Sequence, residues 1–137
     1  MKNKIIILLI IIVSIIAIIF GASFIVLNQK LKNNDTYYKT EFEVNYISET
    51  YRIKIPQEIV YNGTSGNVVY SFKTLKSRNK LKREIENLYS NEYKDMNKYD
   101  NEGYKLYYDE KQDITIGYQI DNSGLTDLYL VVYEGLN

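Results

Sequence analysis

The chain has 137 residues, a formal net charge of zero, and neither cysteine nor histidine. The absence of cysteine excludes disulfides, thiol catalysis and cysteine-ligated metals, and the absence of histidine removes the commonest general base and transition-metal ligand. From residue 38 onward 13 basic and 16 acidic residues give a net charge of −3, which disfavours nucleic-acid binding. Abundant isoleucine, lysine and asparagine, with 15 tyrosines, indicate an AT-rich bacterial coding genome.

Residues 5–27 form an uncharged N-terminal stretch with eleven isoleucines. As a helix this stretch is about 34 Å long, enough to cross the roughly 30 Å hydrocarbon core of a bilayer. A cleaved signal peptide has a shorter apolar region that ends at a small-x-small site, whereas Phe20 lies at position −3 of the best junction here. A core helix of a soluble protein is rarely apolar all round. The sequence therefore predicts an uncleaved transmembrane helix.

The orientation of the predicted span follows from the basic residues at its ends. Lys2, Lys4 and the amino terminus precede it, and Lys30 and Lys32 follow it. Because positive charge favours the cytoplasmic side, the excess of one charge favours a cytoplasmic N-terminus. The predicted organisation is a cytoplasmic N-terminus at 1–4, a transmembrane helix at 5–27, a polar linker at 28–39 and an extracytoplasmic domain at 40–137.

Ala17 and Gly21 place two small residues one helical turn apart within the span. This spacing lets two membrane helices approach closely, so it predicts a weak homodimer in addition to the contact of residues 5–27 with lipid. The same spacing is also frequent by chance.

Alternating apolar and polar residues after the linker predict a hairpin of two strands, at residues 42–46 and 51–55, that Pro56 ends. Asn62-Gly63 predicts a turn before a further strand at residues 68–72. Three-and-four spacing then predicts one helix of about 20 residues, with Ser77 as its N-cap and Gly103 at its C-terminal end.

Three further strands follow, with core-facing rows centred on Leu106, Ile116 and Leu130. The order of strands, one helix and strands predicts an α+β fold. It consists of one N-terminal transmembrane helix followed by a small antiparallel sheet of about six or seven strands, with a single helix packed on it.

A basic cluster opens the predicted helix, and its candidate anion-binding residues are Arg78, Lys80, Lys82 and Arg83. Cations at this end oppose the helix dipole, which favours a bound anion such as a lipid headgroup or a wall polymer. The structural alternative pairs Lys80 with Glu84 and Lys82 with Glu86, one turn on.

A tyrosine row is predicted on the face of the sheet that lies opposite the helix. Its candidate partner-binding residues are Tyr107, Tyr129, Val131 and Tyr133, with space beside them at Gly117. The alternative is that tyrosine has a high strand propensity and is simply frequent in this chain.

No catalytic, cofactor or metal site is predicted. The acidic segment from Asp95 to Gly103 resembles a calcium loop only superficially, since its sixth position is Asp100 rather than glycine and its twelfth is Leu106 rather than glutamate. An enzyme that uses aspartate, glutamate, lysine or tyrosine stays open, as does a pilin-like subunit, although no cleavage site follows the basic leader.

The leading hypothesis is a membrane-anchored binding or accessory protein of a bacterial cell envelope that acts through contact with a protein partner. The alternative is a cell-wall or glycan-binding module that uses the tyrosine row.

Overall fold

A computed structural model describes residues 2–33, 41–46, 48–66, 69–122 and 125–136, which form two helices and eight strands in two antiparallel sheets. In chain order the elements are α1 (Lys2–Asn33), β1 (Glu41–Tyr46), β2 (Glu49–Lys54), β3 (Val60–Ser65), β4 (Val69–Thr74), α2 (Arg78–Glu92), β5 (Lys94–Tyr99), β6 (Lys105–Asp109), β7 (Ile114–Asp121) and β8 (Thr126–Glu134).

Helix α1 is long and apolar enough to span a membrane over residues 2–29. The large apolar side chains described along it, apart from Leu27, are between 44% and 69% exposed, because no part of the described domain covers them. Helical structure continues to Asn33, so the first part of the predicted linker is helical. The rest of that linker lies outside the described residues.

The two sheets differ from the single sheet that the sequence predicts. Strands β1 and β2 form a separate hairpin, and the other six form one sheet in the order β3-β4-β8-β7-β6-β5. The prediction of six or seven strands misses β5, because the predicted helix covers those residues. The α+β class, the N-terminal apolar helix and the antiparallel pairing are confirmed.

One face of the six-stranded sheet, called here the inner face, carries the core. Helix α2 places Leu81, Ile85 and Tyr89 in that core, and the hairpin adds Val44 and Ile53. The hairpin and α2 therefore both pack on the inner face of the sheet and bury it together.

Helix α2 begins where the sequence predicts and ends earlier. The Ser77 hydroxyl accepts a hydrogen bond from the Lys80 amide at 3.3 Å, as an N-cap does. The last helical residue is Glu92, and Tyr93 is extended with φ −129°. The predicted end at Gly103 is wrong, because the next six residues form β5 on the edge of the sheet.

Asn62-Gly63 lies inside β3, so the turn predicted there is also wrong. The pairing of β3 with β4 shifts register between Tyr61 and Gly63, and Gly63 has φ +141°. A glycine with positive φ suits a β-bulge as well as a turn. The Asn62-Gly63 pair therefore indicates a backbone conformation with positive φ, which this edge strand adopts at a bulge and not at a turn.

Candidate binding surfaces

The predicted tyrosine row is incomplete, because Tyr107 lies on the inner face. Tyr107 pairs in register with Ile116, and Ile116 pairs with Val132, so all three side chains point into the core. Tyr107 is fully buried. The prediction of an exposed Tyr107 is wrong, because both Leu106 and Tyr107 are buried and it is Tyr107 that faces the core.

Val131 lies on the outer face, as predicted, but it is buried. Its Cγ2 atom is 2.8 Å from the position that a Cβ atom would take on Gly117, and Leu106 and Tyr104 crowd the same position at 3.0 Å. The space at Gly117 is thus filled by neighbouring side chains of the same sheet. Neither Gly117 nor Val131 offers a surface to a partner.

The loop between β5 and β6 closes over this part of the outer face. The Tyr133 hydroxyl donates to Asp100 Oδ2 at 2.9 Å, while Asp100 Oδ1 accepts from the amides of Glu102 and Tyr104, both at 2.9 Å. Burial and the Asp100 carboxylate raise the pKa of Tyr133 to about 12. The segment that superficially resembles a calcium loop therefore uses its central carboxylate to hold its own backbone.

Tyr129 and Tyr133 are the two members of the row that stay partly exposed. A role for them in binding stays a prediction.

All four predicted anion-binding residues are exposed, and the predicted pairs within α2 are absent from the ion pairs of the described residues. Glu84 instead pairs with Lys76, whose side chain is 7% exposed. Glu86 accepts a hydrogen bond from the Tyr118 hydroxyl at 2.7 Å. The carboxylates of Glu84 and Glu86 therefore bind to Lys76 and Tyr118, outside the helix. We call the exposed cations Arg78, Lys80, Lys82 and Arg83 the basic surface.

The end of α1 meets the domain close to the basic surface. Leu27 is 4% exposed and Val60 is 3% exposed, and they are buried together with Leu75 and Leu125 packed against them. Leu75 precedes the N-cap residue Ser77 by two positions. The first turn of α2 therefore lies near the point at which α1 contacts the domain.

A groove of about 410 Å³ runs between α2 and residues 55–58, and we call it the α2 groove. Amide and charged side chains from successive turns of α2 form one wall, and Ile55, Pro56 and Leu88 supply its apolar part. The remaining lining residues are Gln57, Glu58, Lys76, Lys80, Glu84, Asn87, Asn91 and Glu92. Such a mixed lining suits a polar, extended ligand better than a compact apolar one.

A second groove, of about 290 Å³, separates the hairpin from the turn after β6. Its polar groups bind one another: Lys54 Nζ lies 2.7 Å from Glu41 Oε1, and Gln112 bonds both to the backbone of Arg52 and to Asp109. The hydrogen bond from Lys54 lowers the pKa of Glu41, and the same bond raises the pKa of Lys54. The polar contacts in this groove therefore hold the hairpin against the large sheet.

Among the described residues, no group of three or more acidic side chains is placed to hold a metal ion. No known protein family, curated protein or solved structure matches the chain.

The α2 groove was not predicted from the sequence, since its two walls are about 30 residues apart in the chain and only the tertiary packing brings them together.

Proposed function

We propose that this chain is a single-pass, membrane-anchored accessory protein of a bacterial cell envelope, which presents its domain outside the cytoplasm and acts by binding a protein partner. The observation that carries the proposal is α1, whose apolar side chains are exposed along almost the whole helix. Exposure of that much apolar surface to water is strongly unfavourable, whereas a bilayer solvates it.

The α2 groove is the surface that we assign to the partner. Its wall extends from Lys80 to Glu92, about 18 Å along the helix axis. Asn87 and Asn91 each carry both donors and acceptors, which an extended peptide backbone requires. A glycan-binding module that uses the tyrosine row is less well supported, since Tyr107 and Val131 of that row are buried.

The absence of native cysteine makes the topology directly testable. Single variants Asn3→Cys, before the span, and Glu110→Cys, in an exposed turn of the domain, are treated with a membrane-impermeant maleimide in intact spheroplasts. We expect immediate labelling of the Glu110→Cys variant and labelling of the Asn3→Cys variant only after permeabilisation. The reverse pattern contradicts the orientation. Release of the chain by alkaline carbonate contradicts the anchor.

Photo-crosslinking tests the partner surface. A photoreactive amino acid is placed at Asn87 in the α2 groove or, as a control, at Asn101 in the exposed β5–β6 loop. We expect one protein to be crosslinked from Asn87, with little product from Asn101, and the yield to fall when Leu88→Asp is added. Equal products from both positions, or a yield that Leu88→Asp leaves unchanged, contradict this assignment.

A further inference from the structure

The basic surface lies at the end of the domain that contacts the C-terminal part of α1. Leu27 is the last residue of the uncharged stretch, and its side chain packs beside Val60, Leu75 and Leu125. If α1 crosses a membrane, as proposed above, these contacts hold that end of the domain against the bilayer surface. Residue Arg78 follows Leu75 by three positions, so the start of α2 is held there too.

The cations at this end are available to an external anion. Lys73 pairs with Asp127 and Lys76 with Glu84, but no carboxylate of the described residues lies within ion-pair distance of the four members of the basic surface. Glu58 is an exposed carboxylate that lines the α2 groove together with Lys80, and it forms no ion pair with Lys80. No acidic residue occupies the first turn of α2. Four cations at a helix N-terminus are unfavourable for the helix itself, and an anionic partner removes that cost.

We propose that the basic surface rests on anionic phospholipid headgroups of the same membrane in which α1 is anchored. The proposal depends on the anchor proposed above and adds an orientation: the start of α2 faces the lipid, and the turn after β6 faces away. Clustered lysine and arginine beside a membrane span bind anionic lipid in this way, and salt weakens the attraction. The end of the α2 groove at Lys80 then lies at the lipid surface, and the rest of the groove extends away from it toward Glu92.

The test uses the full chain in nanodiscs made of phosphatidylcholine, with or without phosphatidylglycerol. A fluorophore is attached to Asn79→Cys in the first turn of α2 or to Glu110→Cys in the turn after β6, and lipids with a headgroup-attached quencher are included. We expect phosphatidylglycerol to increase quenching at position 79 and not at position 110. High salt should reverse the increase.

Matched pairs of charge-reversal variants test whether docking depends on the basic surface or only on the net charge of the chain. Lys80→Glu with Lys82→Glu should lower the ratio of docked to undocked domain by roughly tenfold or more. The control pair, Lys94→Glu with Lys111→Glu, changes net charge equally at exposed sites away from the start of α2 and should leave quenching unchanged. Acidic residues in the first turns favour the helix, so unfolding does not explain a loss of docking.

The outcomes also separate this proposal from the proposed function. A chain that does not stay with the nanodiscs lacks the anchor, which overturns both. The lipid contact alone is overturned if the chain stays with the nanodiscs but quenching at position 79 does not change with phosphatidylglycerol. It is also overturned if the Lys80 and Lys82 reversals leave that quenching unchanged. Binding of a soluble wall polymer to Lys80 and Lys82, together with quenching that does not respond to phosphatidylglycerol, also overturns it, in favour of a polymer site.

Discussion

Gly117 shows how one residue sets the packing of the outer face. It lies in β7 between Leu106 of β6 and Val131 of β8, its partners in the two ladders. With a hydrogen atom in place of a side chain, the Val131 and Leu106 side chains meet above the backbone and bury each other. The glycine is needed for this close approach and not for its backbone conformation, since its φ is not in the left-handed region.

We expect Gly117→Ala to lower the free energy of unfolding by about 1–3 kcal/mol. The new Cβ atom would lie 2.8 Å from Val131 Cγ2 and 3.0 Å from Tyr104 Cβ, and the latter cannot swing away because it is attached directly to the backbone. Urea unfolding of the full chain in detergent, followed by the near-ultraviolet circular dichroism of tyrosine, measures the change.

The control for Gly117→Ala is a double-mutant cycle with Val131→Ala. Removing the Val131 methyl groups makes room for the new one, so the double variant should be more stable than the sum of the two single changes allows. Strict additivity would show that the crowding at Gly117 is relieved in some other way.

At the scale of elements, α2 is fixed to both of its neighbours through Tyr89. The ring is fully buried and forms edge contacts with Tyr93, Tyr107 and Tyr118 at centroid distances of 5.1–6.4 Å. Its hydroxyl donates to the Lys54 carbonyl at 2.8 Å, at the end of β2. One side chain therefore joins the helix to the inner face of the large sheet and to the hairpin.

We expect Tyr89→Phe to cost about 1 kcal/mol of unfolding free energy, the net value of one hydrogen bond. Tyr89→Ala should cost about 3–5 kcal/mol, because it also leaves a cavity among the three other rings. The same urea titration measures both changes. Equal losses for the two variants would mean that the ring contributes nothing beyond its hydroxyl.

The strongly periodic elements could be predicted from the sequence, and the errors arose where two patterns compete. Ser77 was identifiable as an N-cap because its signal is local. Tyr93, Met96 and Tyr99 continue the helical spacing of α2, but the pairing of residues 94–99 with β6 makes this segment a strand. In β6 both faces are apolar, so alternation does not show that Tyr107 faces the core. The α2 groove depends on contacts between distant segments and has no local signal.

At the scale of the whole molecule, exposed apolar surface is concentrated in α1. In the described part of the domain, Tyr99 and Leu136 are the large apolar side chains that are exposed. The inner face is covered by α2 and the hairpin, and the outer face is partly closed by its own side chains and the Asp100 loop. A domain without a large apolar patch is expected to bind through polar grooves and charge, which are the features of the α2 groove and the basic surface.

Tyrosines in the core and packed against it should also set the alkaline limit of stability. Hydrogen bonding to Glu49 raises the pKa of Tyr51 to about 12, and burial raises the pKa of Tyr89, Tyr93 and Tyr118 above the ordinary value of 10.0. For Tyr51 the raised folded-state pKa gives stability that is fully present below pH 10 and is lost as pH rises through 12, because the unfolded chain releases its phenolic protons first. Urea titrations at increasing pH should therefore show a falling free energy of unfolding from about pH 10. Tyrosinate absorbance should rise together with unfolding, and Tyr51→Phe should flatten part of the decline. Ionisation of all tyrosines near pH 10 in a chain that stays folded would contradict the burial of Tyr89 and Tyr118 in the core.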